Sequence, residues 1–163
     1  MQFETFITDT LRALEVPYRL VKHQAVFTVA ESVGVLDEIP VKNLLLQEEK
    51  GTRKVLVIMA GEHRLDTKKL AAELGTKKLR FANAEALLET LGVTPGSVSL
   101  FSLFHDGSDS VEVVIDQELA HAEEVGFHPN DNTVTIFIPG ASIKTVLDHT
   151  GHSYRYMNVR SNT

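Results

Sequence analysis

The stretch LGVTPGSVSLFSL, residues 91–103, is the segment from which the rest of the chain can be ordered. Leu91 closes an apolar-periodic run, and Gly92 behind it suits the left-handed cap that ends a helix. Pro95-Gly96 then reads as a turn, with proline fixing one φ and glycine free to take positive φ. After it, Val98, Leu100, Phe101, Leu103 and Phe104 return to the core. Composition alone makes this a helix-to-strand connector. The alternative is a backbone cradle, because two glycines let a small polar group approach bare N–H groups.

Upstream of the turn, Asn83 caps a helix over Ala84 to Leu91. Before it, Asp66 or Thr67 starts a helix over Lys68 to Leu74 that Gly75 ends. The run VLVIMA, residues 55–60, suits a central strand buried on both faces. It follows a charged hairpin loop around Gly51 and the strand KNLLLQ, residues 42–47. Phe3, Phe6, Ile7, Leu11 and Leu14 recur at helical spacing, so Gln2 to Glu15 is an amphipathic helix ended by Val16-Pro17. A short strand over Tyr18 to Val21 follows. Thr28 then caps a short helix over Val29 to Val33, which Gly34 closes before the break at Glu38-Ile39-Pro40.

Downstream, Val111 to Asp116 is a strand, Gln117 to His121 a helical turn, and Glu124 to Phe127 the start of another strand. The loop His128-Pro129-Asn130-Asp131-Asn132 interrupts it, and Thr133 to Ile138 alternates as a strand does. Gly140 to Thr150 is a helix with Ser142 as its cap and Gly151 as its stop, and Tyr154 to Val159 closes the sheet. Strands interleaved with helices predict an α/β chain of α+β-like order, with one mixed, largely antiparallel central sheet flanked by helices. The 163 residues suit a single domain spanning 1–163.

With 43% hydrophobic and 23% charged residues, the composition is that of an ordinary globular chain. There is no cysteine, which excludes disulfides, thiolate metal sites and a cysteine nucleophile. No secretory signal and no run approaching the ~18 apolar residues of a membrane span are visible, so a cytoplasmic location and no membrane partner are expected. A net charge of −6 argues against bulk nucleic-acid binding but not against a local basic face. Arg53 and Lys54, Lys68 and Lys69, and Lys77, Lys78 and Arg80 are three clusters that can converge.

Few residues carry a chemical signature. Lys42, beside Asn43 at the mouth of an apolar strand, suits a partly desolvated cation that binds an oxyanion or phosphate; the plain alternative is a lysine snorkelling to solvent. His128 before Pro129 can donate a hydrogen bond or shuttle a proton, or can belong to an ordinary Pro/Asn turn. The seven histidines show neither HxH nor HExxH spacing, so no metal is expected. No nucleophile elbow, P-loop or dinucleotide fingerprint is present, and no cofactor is expected.

Lys42-Asn43-Leu44-Leu45-Leu46, Gly92-Val93-Thr94-Pro95-Gly96-Ser97-Val98 and Phe127-His128-Pro129-Asn130-Asp131-Asn132-Thr133 occur in this order. With VFTVAES near residue 26, HRLDTKKLAAELG at 63–75, LRFANAEAL at 79–87 and VEVVID at 111–116, the chain resembles the YbaK/prolyl-tRNA synthetase-associated domain family. The resemblance runs roughly from Tyr18 to His152 and is nearest to the free-standing ProXp-ala type. It implies trans-editing: hydrolysis of the ester joining a wrong amino acid to tRNA, with Ala-tRNA(Pro) as substrate and prolyl-tRNA synthetase as a candidate partner. The water is oriented by the site and assisted by the substrate's 2′-hydroxyl.

The resemblance also implies the roles of individual residues. Lys42, Gly92, Gly96 and His128 belong to the catalytic set. Asn43, Val93, Thr94, Pro95, Asn130 and Asn132 bind the aminoacyl end, and Arg80 contacts the acceptor stem. Leu44, Val93, Phe101 and Phe127 would narrow the pocket. The segment Ser32 to Val41 is shorter and less glycine-rich than in many relatives, and Ser99-Leu100 replaces a more usual threonine–proline. The alternatives are a deacylase for another mischarged tRNA such as Cys-tRNA(Pro), a non-catalytic tRNA- or amino-acid-binding domain, and a small-ester hydrolase.

Overall fold

The computed structural model describes residues 2–22, 41–129 and 133–161. Its centre is the apolar run expected to be buried on both faces. Strand β3 (Lys54–Ala60) is flanked by β2 (Val41–Glu48), antiparallel to it, and by β5 (Glu112–Asp116), parallel to it. Strand β4 (Leu79–Phe81) adds outside β2 and β8 (Tyr154–Met157) outside β5, giving a five-stranded sheet in the order β4-β2-β3-β5-β8. Val55 to Ala60 are all buried, as a strand covered on both sides requires.

The period-two alternation of β2 and β3 sorts their side chains between two cores. Leu45, Leu56 and Ile58 face the larger one. It is closed by helices α1 (Gln2–Ala13), α3 (Ala84–Leu91) and α4 (Ile143–Thr150). Leu46, Val55, Val57 and Met59 face the smaller one, with Leu70, Ala71 and Leu74 of α2 (Thr67–Leu74). The remaining strands, β1 (Arg19–Lys22), β6 (Val125–Phe127) and β7 (Val134–Ile138), form a separate antiparallel sheet ordered β1-β7-β6. Its residues Val125, Phe127, Val134, Ile136 and Ile138 belong to the larger core. The α+β class and the mixed sheet stand. The strands expected in one sheet are divided between two because β1 pairs with β7 rather than with β2.

Local capping accounts for most helix ends. Asp66 accepts from Lys69 N at the start of α2, and Asn83 from Ala86 N at the start of α3. Gly75, Gly92 and Gly151 close their helices in the left-handed region. Two ends differ from expectation. Helix α1 stops at Ala13, and Glu15 takes φ +59°, a position glycine would fill without cost. Ser142 makes no side-chain cap to α4, because Gly140–Ser142 is already a 3-10 turn leading into it. The expected helix over Val29–Val33, with Thr28 and Gly34, lies outside the described residues.

After the glycine–proline turn the chain forms a 3-10 helix, Leu100–Phe104, not a strand. Ser99 nucleates it: its Oγ accepts from Phe101 N at 3.1 Å while its own N–H donates to Ser102 Oγ at 3.0 Å. Leu100, Phe101 and Leu103 fill the larger core as expected, so burial was retained while the backbone type changed.

Candidate active site

The turn itself has the expected geometry. Ser97 N–H donates to Thr94 O at 3.1 Å, Pro95 holds the second position and Gly96 the third at φ +94°. Thr94, Pro95 and Gly96 are exposed, and Val93 is buried in the core beneath them. Gly92 spends its N–H on Leu88 O at 3.0 Å as the helix cap. The N–H groups of Val93, Thr94 and Gly96 form no backbone–backbone bond among the described residues. Those three, and not Gly92, are the donors the turn can offer an oxyanion or ribose oxygen.

The segment after the turn holds the polar loop. Ser99 Oγ donates to the carbonyl of His128, and Phe101 meets Phe127 edge to face with centroids 5.9 Å apart. His128 Nδ1 donates to Val134 O at 2.8 Å, which leaves Nε2 as the unprotonated nitrogen of the neutral ring. The structure therefore joins Phe101, Phe127 and His128 through the segment after the turn, and Val93 belongs to the same core as the two phenylalanines. Asn130 and Asn132 lie outside the described residues.

Lys42 and Asn43 are adjacent on an extended strand and point to opposite faces of the sheet. Asn43 pairs across the strands with Ile58, on the face shared with Val93, Phe101 and Phe127. Its Oδ1 is buried and accepts no hydrogen bond among the described residues. Lys42 pairs with Met59, on the face of the smaller core. Burial, and to a lesser extent the Arg64 guanidinium, hold its ammonium below the ordinary lysine value. Leu44 shares that second face, so it does not narrow a pocket with Val93, Phe101 and Phe127.

Arg80 sits at the other end of β2, opposite Gln47. It is exposed, and Gln47, with its amide oxygen turned toward the guanidinium, accepts from Arg80 Nη2 at 3.0 Å. Five residues of strand, about 17 Å, separate it from Lys42. Several cations of the basic clusters are paired within the fold. Arg53 is tied to Glu112 by two contacts of 2.8 Å and to Leu74 O at 2.6 Å, and Lys54 donates to Thr90 Oγ1 at 2.9 Å. Lys78 pairs with Glu49 at 3.2 Å.

Two groups were invisible at sequence level because they join distant segments. His105 lies against Gly92, and together with Phe3, Val93 and Phe104 it lines a pocket of about 270 Å³ beside the turn. Glu62, His63 and Glu118 bring ligand-type atoms within 4.8 Å of one another. There the Arg160 guanidinium reaches His63 Nε2 at 3.2 Å, Glu118 at 3.3 Å and the fully buried Asp116 at 3.3 Å. That cluster already contains a cation of its own.

A model of the aminoacyl-tRNA editing domain matches residues 23–146. The chain belongs to the aminoacyl-tRNA editing domain family. It is 33% identical over 159 residues to a protein of Acetoanaerobium sticklandii named prolyl-tRNA editing protein ProX, covering 95% of this chain and 96% of that one. It is 34% identical over 152 residues to the Danio rerio prolyl-tRNA synthetase associated domain-containing protein 1, covering 90% and 82%. A crystal structure of a candidate trans-editing enzyme for prolyl tRNA synthetase superposes with a TM-score of 0.72 at 21% identity, covering 99% of both chains. That last likeness supports the editing-domain fold alone. Within the family match fall Lys42, Asn43, Arg80, the turn and His128.

Proposed function

We propose that this protein is an aminoacyl-tRNA deacylase that clears mischarged tRNA(Pro), with Ala-tRNA(Pro) as its substrate. Family membership supports the reaction, and the name of the relative from Acetoanaerobium sticklandii supports the tRNA. The observation that carries the reading is the buried Oδ1 of Asn43, which accepts no hydrogen bond among the described residues and lies on the larger-core face with Val93 and Phe127. A buried acceptor without a donor costs about 1–3 kcal/mol. The α-ammonium of an aminoacyl ester supplies the missing donor.

The chemistry asks little of the protein. An aminoacyl ester is activated, so an oriented water, helped by the ribose 2′-hydroxyl, attacks the carbonyl carbon, and the 3′-oxygen leaves with a proton. The N–H groups of Val93, Thr94 and Gly96 serve the oxyanion and the ribose. Lys42, at the strand end, adds positive charge for the RNA terminus, and His128 lines the pocket. One methylene is worth only ~1–3 kcal/mol to a synthetase, so a smaller wrong amino acid passes it and a second, smaller pocket removes it. Val93, Phe101 and Phe127 set that pocket's size. Single-turnover deacylation of Ala-, Cys-, Ser- and Pro-tRNA(Pro) and of Ala-tRNA(Ala) tests the reading. Selective loss of alanine from tRNA(Pro) supports it, and loss from another pair keeps the reaction but discards the substrate.

A further inference from the structure

We propose that His105 is the positioning residue of the Gly92–Gly96 turn, holding its N–H donors in register for deacylation; this rests on the reading above. The contact is close. A Cβ built on Gly92 would fall 2.5 Å from His105 Cδ2 and 2.8 Å from Nε2, so the edge of the ring lies directly on the Gly92 backbone. At φ +69° Gly92 is the residue from which the exposed turn departs, and the ring limits how that departure can shift.

The ring is itself held. His105 Nδ1 lies 3.1 Å from Gly107 N and 3.3 Å from Thr90 O, so the ring is held between its own loop and the last turn of α3. Gly107 abuts the last turn of α3: a Cβ there would meet Glu89 O at 2.7 Å and Thr90 O at 2.9 Å. One residue on, Ser108 is fully buried, and its Oγ lies 2.8 Å from Leu103 O and 2.7 Å from His105 O. His152, also buried, donates from Nε2 to Ser108 O at 2.8 Å and accepts at Nδ1 from Thr150 Oγ1 at 2.7 Å. A clasp thus runs from the end of α4 through Ser108 and His105 to the turn. The ring also lines the pocket shared with Phe3, Val93 and Phe104, so one side chain joins the loop, the end of α3 and the start of the turn.

Two substitutions separate positioning from loop closure. His105→Ala loses both the Gly107 bond and the Gly92 contact. His105→Asn keeps an acceptor near the Nδ1 position and loses the ring edge on Gly92. Under single-turnover conditions with Ala-tRNA(Pro), H105A lowers the limiting rate about tenfold to a hundredfold. Its half-saturating enzyme concentration moves less than about threefold, because the turn acts on the reacting ester more than on overall binding. H105N recovers the melting temperature but not the rate. A limiting rate for H105A within twofold of wild type overturns the proposal, and so does an H105N variant that recovers rate and melting temperature together. The contact is also read without turnover by a melting-temperature cycle of Gly92→Ala, H105A and the double variant. G92A costs less in the H105A background if the ring lies on Gly92, and additive changes overturn the contact even if no tRNA is deacylated. A wild-type protein inactive on every charged tRNA would instead strike the deacylase reading.

Discussion

The two ends of β2 carry polar residues of the same kinds and treat them in opposite ways. At the far end Glu48 accepts from Thr76 Oγ1 at 2.6 Å and from Arg53 N at 3.0 Å, which holds its carboxyl below the usual range. Gln47 meets Arg80, and Arg53 forks onto Glu112. At the near end Asn43 keeps a buried oxygen with no donor among the described residues, and Lys42 is a partly buried ammonium held below its ordinary value by burial and by the Arg64 guanidinium. Polar groups that serve the fold are paired within it. Groups left costly in the folded chain are ones a ligand can satisfy, which is why we propose the near end of β2 as part of the site.

The largest expected effect is at that near end. Lys42→Ala should lower single-turnover deacylation about 10–10²-fold, because the positive charge it offers the RNA terminus is lost. Its melting temperature should hold or rise, because a desolvated cation beside Arg64 has been removed. The sign of the pH dependence follows. Lys42 has a folded pKa below its unfolded value, so its ammonium costs stability at neutral pH, and that cost fades as pH rises through the lowered value. The melting-temperature gap between K42A and wild type should close on the alkaline side, and a gap that widens there would reverse the account of Lys42.

Asn43→Leu should slow deacylation about tenfold or more while gaining about 1 kcal/mol of stability, because it replaces an orphaned acceptor with apolar surface. Loss of stability with full activity would show that Asn43 is structural. At the far end the expectation inverts. Arg53→Met should cost about 1–2 kcal/mol, discounted because the two side chains are 33% and 25% exposed, with deacylation within twofold of wild type. Glu112, held below the usual carboxylate range by Arg53, contributes stability that is present above that range and lost as pH falls through its lowered value. The R53M deficit should therefore shrink in acid, as thermal melts at stepped pH would register. The smallest effect lies outside the comparison: Glu15→Gly should add about 0.5–1 kcal/mol by relieving the left-handed conformation at φ +59°.

What could be read in advance was what is local. Asp66, Gly75, Asn83, Gly92 and Gly151 announced helix ends because caps depend on neighbours three or four residues away. VLVIMA announced a central strand because its apolar run leaves no face for water. The second sheet was not legible, since β1 finds β7 more than a hundred residues later. Leu44 suits a small pocket by size and polarity alone, but alternation along the strand from Asn43 puts it on the other face. His105 carried no sequence signal at all. Its closeness to Gly92 depends on the 3-10 helix that replaces the expected strand and on a buried histidine forty-odd residues away.

We propose that the near end of β2 and the turn form an editing site for mischarged tRNA(Pro). Single-turnover hydrolysis of Ala-tRNA(Pro) beside Pro-tRNA(Pro) and Ala-tRNA(Ala), with wild type and N43L in parallel, tests it most directly. The account predicts release of alanine from tRNA(Pro), sparing of the two correctly charged tRNAs, and a slow N43L. Binding of Ala-tRNA(Pro) without hydrolysis, or equal hydrolysis by N43L, would contradict it.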